Sequence, residues 1–465
     1  MFISDLYRFN RFSVFFLLLF NVSADENHYI NLFVGDRAAG LAGAYTAIAD
    51  GPEGAFYNPA GLAYSSSKYF SLSVNAVQFK MLYYHKVFPK PDQTPFDYIR
   101  YSFSFIPNFF GFIQKQKHFT FAITVTSADS EFYDQRDNAT IMNRYPFLLD
   151  KAFPTNLNVN FNYTDMVYEI GPSFAFLLHK KVSLGFNAFI KYRDKKLISQ
   201  TIYKMTTPVD YFQDSSIYKN ERIIGMNFQL GLQFMPIDKL SIGYSISTPF
   251  DIVNIQTYQK TESAKLKYLD LTGDLQFQDK DEITNNTLKV LNIAENGLFR
   301  PLYIKQALGI CVFISKSMLL SLDGYLYIPI QHLNASQQVI RYQYNSSTQK
   351  FDEVLLGESE RLNIIGNVAI GYEWYITPNF PLRLGFFTNF TNTQVINEGD
   401  INRKDYIHMF GGSLTFGFAT SDLCVNLGIV ASGGSGKAQI IGGVVNIQTV
   451  DALSMNVFIS GGYQF

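Results

Sequence analysis

Residues able to do chemistry are present in this chain, but not in the spacings that chemistry requires. Six histidines, His28, His85, His118, His179, His332 and His408, are scattered over 465 residues with no pair at metal-ligand spacing. The only cysteines, Cys311 and Cys424, fall far apart within segments that read as strands, where two small apolar-tolerant residues are a simpler reading than a disulfide. Gly433-Gly434-Ser435-Gly436-Lys437 has some features of a phosphate loop, yet its first Gly is misplaced, Ala438 stands where Ser or Thr is needed, and no strand-to-helix context follows. It reads as a flexible loop tip. With no catalytic constellation and no cofactor motif, the chain is read as a non-enzyme without cofactor, and the chemistry left to it is binding.

Binding residues stand out once the chain is divided into strands. From Lys68 onward apolar and polar residues alternate with a period of two, in runs of about ten to sixteen residues. In one run Leu362, Ile364, Val368, Ile370, Tyr372, Trp374 and Ile376 share a face, opposite Asn363, Asn367, Ala369, Gly371 and Glu373. Ile224 to Phe234, Leu240 to Ile246, Val182 to Ile190 and Leu423 to Ile429 divide in the same way, and their polar parity is mostly Gly, Ser, Thr, Asn and Gln. That composition suits a water-facing barrel interior with the apolar parity against lipid, better than the charged outer face of a soluble sandwich.

Phe189, Phe313, Phe387 and Phe458 are exceptions on the inward parity. They either line a path for an apolar ligand, whose burial contributes roughly 25 cal/mol per Å², or pack against something inside the barrel. Lys191, Arg193, Lys305 and Arg383 share that parity, with Asp165, Glu169, Asp323 and Glu373 available as partners. Lys305 and Arg383 are the candidate contacts for a ligand carboxylate, through charge-assisted hydrogen bonds.

Turn chemistry counts the strands. Tight links near 114–117, 179–181, 236–239, 315–317, 377–381 and 420–422 alternate with long polar segments near 83–97, 129–160, 196–220, 260–298, 331–359, 393–404 and 433–451. Six short and seven long connections give fourteen strands, with the short turns periplasmic and the long ones outside. The outer segment 129–160 carries Pro146-Phe147-Leu148-Leu149 and Phe153, a capture groove or a cap for the barrel mouth. Pro107 and Pro172 interrupt two strands, and because proline cannot donate to a ladder, a bend or gap is expected near one of them.

Composition agrees with this picture. The chain is 47% hydrophobic and 16% aromatic but 17% charged, against about a quarter in soluble domains. A mean hydropathy of +0.01 shows the apolarity to be dispersed. Beyond the N-terminus no uninterrupted apolar run reaches the length of a spanning helix. A net charge of −1 gives no argument for nucleic acid. Arg8 and Arg11 before the apolar run Phe12 to Phe20, then Ser23 and Ala24, form a secretory signal with cleavage expected after Ala24. Met455, Val457, Ile459, Tyr463 and the terminal Phe465 share one parity at the other end.

Between signal and strands lies a Gly/Ala-dense stretch without alternation, whose small residues allow close packing in a confined space. Gly35-Asp36-Arg37-Ala38-Ala39-Gly40, Gly43-Ala44-Tyr45, Ala49-Asp50 and Tyr57-Asn58-Pro59-Ala60-Gly61-Leu62 resemble the N-terminal hatch of the outer-membrane FadL/OmpP1 (Toluene_X) family. The resemblance implies a fourteen-stranded transmembrane β-barrel plugged by a hatch, which carries long-chain fatty acids or small aromatic compounds. It also implies release sideways into the membrane through a kinked wall strand, which places a lateral opening near Pro107, insertion by the barrel-assembly machinery acting on the C-terminal strand, contact with outer-membrane lipid, and a monomer. The expected organisation is a signal peptide over 1–24, a hatch over 25–67 bearing Arg37, Asn58, Pro59 and Ala60, and an all-β barrel over 68–465. Arg37 is the hatch residue able to pair with a wall carboxylate. The alternatives are a general porin-like or structural protein, and a FadL-related binding module serving protein secretion or adhesion.

Overall fold

The computed structural model describes residues 28–65, 68–88, 96–145, 151–206, 210–269, 275–291, 302–330, 339–345, 350–356, 362–400, 403–440 and 447–465. The strands in chain order are β1 (Lys68–Phe88), β2 (Phe96–Lys115), β3 (Thr120–Tyr145), β4 (Lys151–His179), β5 (Val182–Met205), β6 (Asp210–Ile237), β7 (Leu240–Leu269), β8 (Leu275–Leu291), β9 (Tyr303–Ser315), β10 (Met318–Pro329), β11 (Val339–Asn345), β12 (Lys350–Leu356), β13 (Ile365–Thr377), β14 (Phe380–Asn389), β15 (Tyr406–Ala419), β16 (Leu423–Ala438) and β17 (Gln448–Gln464). Fourteen of them form one antiparallel ring, with β17 paired to β1 and β6 to β7. The other three stand apart from that ring: β8 pairs with the far half of β7, and β11 and β12 form a separate hairpin. Closing the ring is what lets strands cross hydrocarbon, and the β2–β3 ladder is the place where it stops short, at Phe109–Thr126.

The expected parity holds through the membrane belt. On β5, Leu184, Phe186 and Ile190 are exposed outward, while Ser183, Asn187 and Lys191 are buried inward. Ile370 and Leu427 do the same on β13 and β16, opposite Glu373 and Asn426.

Within the segments expected as long polar loops, residues 129–145, 151–160, 196–205, 210–220 and 260–269 are instead wall. Strands β3 to β7 run for 26, 29, 24, 28 and 30 residues, whereas β9, β10, β13 and β14 run for 13, 12, 13 and 10. Crossing the membrane takes about 9–11 residues, so one side of the wall rises far above it. The ladder between β3 and β4 continues out to Tyr145 opposite Lys151. The polarity of the chain inverts there, which is why it reads as loop. Below Asp165, β4 turns Phe174 and Phe176 outward and Ser173 and Ala175 inward; above it, Asn156, Asn158, Asn160 and Asn162 alternate with buried Leu157, Val159, Phe161 and Tyr163. Outside the bilayer the outer face meets water, and the inner face must make a core.

That core joins Tyr133, Leu157, Val159, Phe161, Tyr163 and Tyr203 of the tall strands to Tyr84 and Tyr98 of the neighbouring β1 and β2 and to Ile407, Met409 and Val450 of β15 and β17 beyond them, and closes the outer mouth. Phe153 lies in β4, while 146–149 fall outside the described residues, as does the signal region. Gly433–Lys437 is likewise strand and not loop tip, paired from Gly433–Leu453 to Lys437–Thr449.

Residues 32–65 occupy the lumen below this core. They form two short helices, α1 (Asp36–Gly40) and α2 (Gly54–Tyr57), and a 3-10 helix, Pro59–Tyr64. Leu41, Ala44, Tyr45, Ala47, Asn58, Ala60 and Leu62 are wholly buried. Wall glycines make room for them: a Cβ at Gly185 would overlap the Pro59 carbonyl carbon, and one at Gly243 the Thr46 carbonyl oxygen.

Candidate lumenal site

The inward polar parity satisfies the backbone of the inserted segment. Ser183 Oγ donates to Ala60 O (2.8 Å), Gln229 Nε2 and Ser245 Oγ to Tyr57 O (both 2.8 Å), and Gln233 Nε2 and Ser241 Oγ to Ala47 O (2.9 and 2.6 Å). Asp323 accepts from the Tyr45 and Thr46 amides at 3.0 and 2.7 Å. Asn58 ties the segment to itself and to the wall. Its Oδ1 accepts from Ala60 N (3.2 Å), capping the 3-10 helix that Pro59 begins, and its Nδ2 donates to Thr46 O (2.9 Å) and Leu232 O (3.1 Å).

Charge fixes the periplasmic side. Arg37 donates through Nε and Nη2 to the two Glu373 carboxylate oxygens, each at 2.9 Å, and through Nη1 to Asp50 (2.7 Å). On the wall, Arg383 Nε reaches the same Glu373 at 2.6 Å and its Nη1 reaches Asn426 at 2.8 Å. Arg383 is thus committed to the network that holds the insert. Glu53, part of the insert and of no spanning strand, is 3% exposed. Burial, with Asp36 nearby, pushes its carboxyl up to about 8. A cavity of about 450 Å³ opens below, lined by Arg37, Asp50, Glu53, Tyr69, Glu373 and Arg383 among others.

The four inward phenylalanines all meet the insert. Phe189 packs with Leu62 and Ala63, Phe313 with the cluster around Leu41 and Tyr45, and Phe387 stands edge-on to Phe33 with centroids 4.9 Å apart, in the cluster that also holds Phe458. A ligand reaches these rings only where the insert gives way.

Lys305 stands elsewhere. Lys191 pairs with Asp251 at 3.2 Å and Arg193 with Asp165, but among the described residues no carboxylate lies within ion-pair distance of Lys305. Its Nζ lies over the rings of Phe56, Tyr325 and Tyr327, at 5.3, 5.4 and 5.8 Å from their centroids. Tyr29 and Tyr303 complete an aromatic cluster around Tyr327. Sequence reasoning named Lys305 and missed the tyrosines, although Tyr303, Tyr325 and Tyr327 share its inward parity on paired strands.

The two prolines differ. Pro172 sits in a wall whose β4–β5 register is the same on either side, from Ile170–Ile190 to Ser173–Asn187. Pro107 marks a break. The β2–β3 ladder runs only from Lys115–Thr120 to Phe109–Thr126, while β2 stays paired to β1 up to Phe96 and β3 to β4 up to Tyr145. At that level Asn108 and Phe109 are both buried, so the alternation slips by one. The registers of β1 near Asn75–Gln78 and of β3 at Ser127–Asp129 shift there too. Above, side chains replace the missing rungs: Gln135 Nε2 donates to Ile99 O (2.6 Å), Gln135 Oε1 accepts from Tyr101 N (3.4 Å), and Ser102 Oγ donates to Phe132 O. Phe103 and Phe105 flank this seam outward, 65% and 66% exposed. Inside it, Lys80 pairs with Glu131 at 2.8 Å beside a cavity of about 60 Å³ that His28, Asn31 and Tyr133 also line.

No protein-family model and no curated protein matches the chain. Among solved structures it is similar to a Pseudomonas aeruginosa FadL homologue, with TM-score 0.57 and 12% identity over 94% of this chain and 100% of that one. It is also similar to the P. putida toluene transporter TodX (TM-score 0.54, 10% identity, 94% and 99% covered) and to the CymD monoaromatic hydrocarbon channel (TM-score 0.53, 12% identity, 94% and 98% covered). The chain therefore shares the fold of the FadL-type barrels, a closed fourteen-stranded β-barrel of the outer-membrane kind.

Proposed function

We propose that this protein is an outer-membrane channel for uptake of hydrophobic compounds, long-chain fatty acids foremost, with residues 25–67 acting as a hatch within the wall of residues 68–465 after removal of 1–24. The observation that carries this reading is the seam above Pro107. It is an interruption in a closed ladder, at bilayer level, in a lumen blocked below by the insert and above by an apolar core. Among the described residues the insert and the core fill the lumen at two levels, which speaks against a general porin, whereas a side opening suits cargo that prefers hydrocarbon. The toluene and monoaromatic hydrocarbon carriage named for TodX and CymD supports a hydrophobic cargo, and the hatch resemblance supports fatty acids. Lys305, unlike Arg383, has its charge available for a carboxylate, and Phe189, Phe313, Phe387 and Phe458 become ligand surface when the hatch shifts.

The test is oleate uptake by cells that depend on this protein. Pro107→Thr restores a donor at the break and is expected to lower uptake several-fold while leaving heat-modifiable electrophoretic mobility, the signature of a folded barrel, unchanged. Unchanged uptake removes the lateral route. No uptake difference between the wild type and a deletion removes transport altogether and leaves the secretion or adhesion module, which predicts a protein partner that copurifies.

A further inference from the structure

We infer that Tyr29 is a tethered occupant of a slot for a single aromatic ring, formed by Tyr327 and Tyr303 on the lumenal wall. The inference rests on the reading that the lumen takes hydrophobic compounds and narrows their class. The Tyr29 ring lies parallel to that of Tyr327, centroids 4.2 Å apart and planes 2° from coincidence, and edge-on to Tyr303 at 5.0 Å. Tyr303 and Tyr327 themselves stand 6.1 Å apart at 63°. A parallel face on one side and an edge on the other hold the ring between two aromatic contacts.

Walls and occupant are built differently. Tyr303 and Tyr327 belong to β9 and β10, paired along their length, and Tyr327 is 3% exposed. Tyr29 belongs to a stretch in no helix or strand. It is tied down by side chains: Asn389 Nδ2 donates to Ile30 O (2.8 Å), Asn31 Nδ2 to Asp129 (3.1 Å), and the His28 ring bonds Ile407 O (2.8 Å). A rigid slot filled by a ring on an irregular strap is a site that its own chain competes for, and a tether of this length gives the competitor a high effective concentration. A free ligand meets the slot only in the fraction of molecules from which Tyr29 has swung out, which lowers its apparent affinity by that fraction. The occupant identifies the ligand class: one aromatic ring the size of a phenol.

The probe is p-cresol, the Tyr side chain without its backbone, titrated calorimetrically into the detergent-purified full chain. Tyr29→Ala is expected to bind it at least about tenfold more tightly than the intact chain, the effect of removing a competitor. Adding Tyr327→Leu should abolish the gain, and 4-methylcyclohexanol, of like size and polarity but not flat, should bind several-fold more weakly than p-cresol. Equal p-cresol affinity in the intact chain and Tyr29→Ala, or equal affinity for the two probes, overturns the slot. Tyr29→Leu, which keeps an apolar contact for the strap, serves if the alanine variant loses its folded mobility on gels. Because binding is read without uptake, the slot and the transport reading fail separately: a chain that binds p-cresol as expected yet supports uptake of neither oleate nor p-cresol keeps the slot and loses transport.

Discussion

Replacing Glu373 with Gln should release the insert without unfolding the barrel. Glu373 is 2% exposed and faces two guanidinium groups, Arg37 from the insert at 2.9 Å twice and Arg383 from the wall at 2.6 Å. An amide keeps the shape but not the charge, so buried Arg383 would lose its carboxylate and Arg37 would keep only Asp50. Removing one partner of a buried pair costs about 3–5 kcal/mol, and since β13 remains paired to β10 and β14 along its length, that cost falls on the seating of the insert. Each 1.4 kcal/mol is a factor of ten, so the open fraction should rise by roughly two to three orders of magnitude. The chain carries its own reporter. Cys311 is fully buried in the cluster that Leu41, Tyr45 and Ala47 form against the wall, whereas Cys424 lines the periplasmic cavity. In a Cys424→Ser background, maleimide labelling of Cys311 then measures how often the insert leaves. Arg37→Met should accelerate labelling less, because Glu373 keeps Arg383. If Glu373→Gln labels less than about tenfold faster than its background, or no faster than Arg37→Met, the charge network does not hold the insert in place.

Two further outcomes use the same reporter. Asp323→Ala leaves the Tyr45 and Thr46 amides without their acceptor, at about 1–3 kcal/mol for each buried donor, and should accelerate Cys311 labelling while the barrel keeps its folded mobility. Glu53 has its carboxyl raised from 4.5 to about 8, so its neutral form is the one the fold favours. The stability this confers is complete below pH about 4.5 and is lost as pH rises through about 8. Labelling of the Cys424→Ser chain should therefore gain on that of the same chain carrying Glu53→Gln as pH climbs across this window; a ratio that does not change with pH contradicts it.

Much of the wall was legible because hydrocarbon on one side and polar contacts on the other impose a two-residue period. The turns near His179, Pro236 and Ser315 were legible because tight periplasmic links leave the alternation little room. The rising wall was not. Leu157, Val159, Phe161 and Tyr163 alternate as strictly as Leu184 and Phe186 do, but they point the other way, because the solvent outside β4 changes from lipid to water near Asp165. A reading that assigns one sign of polarity to each parity takes such a strand for a loop. The lumenal tyrosines were missed for a related reason. Tyr suits a lipid interface as well as a buried core, so Tyr303, Tyr325 and Tyr327 lacked the contrast that made the inward phenylalanines conspicuous. The Lys305 charge carried the signal that its neighbours did not.

The seam meets both closures of the lumen, and this constrains any passage through it. At its lower end Asn108 donates to Phe33 O of the insert at 2.6 Å, and one bulge away Asp129 accepts from Asn31. At its upper end Tyr98 belongs to the outer core and donates to Asp137 of β3 at 3.0 Å, with Arg100 stacked 4.7 Å over Phe161 between them. Separating β2 from β3 would therefore disturb the insert's first turn below and the cap above, while the Gln135 bridge between them gives way. A cargo that displaced Phe33 or Tyr29 would weaken the lower tie of the seam directly. Opening sideways and unseating the insert would then be one event, so Glu373→Gln and Gln135→Leu together should open the seam by more than the sum of their separate effects. Strict additivity of the pair would mean that the seam and the insert move independently.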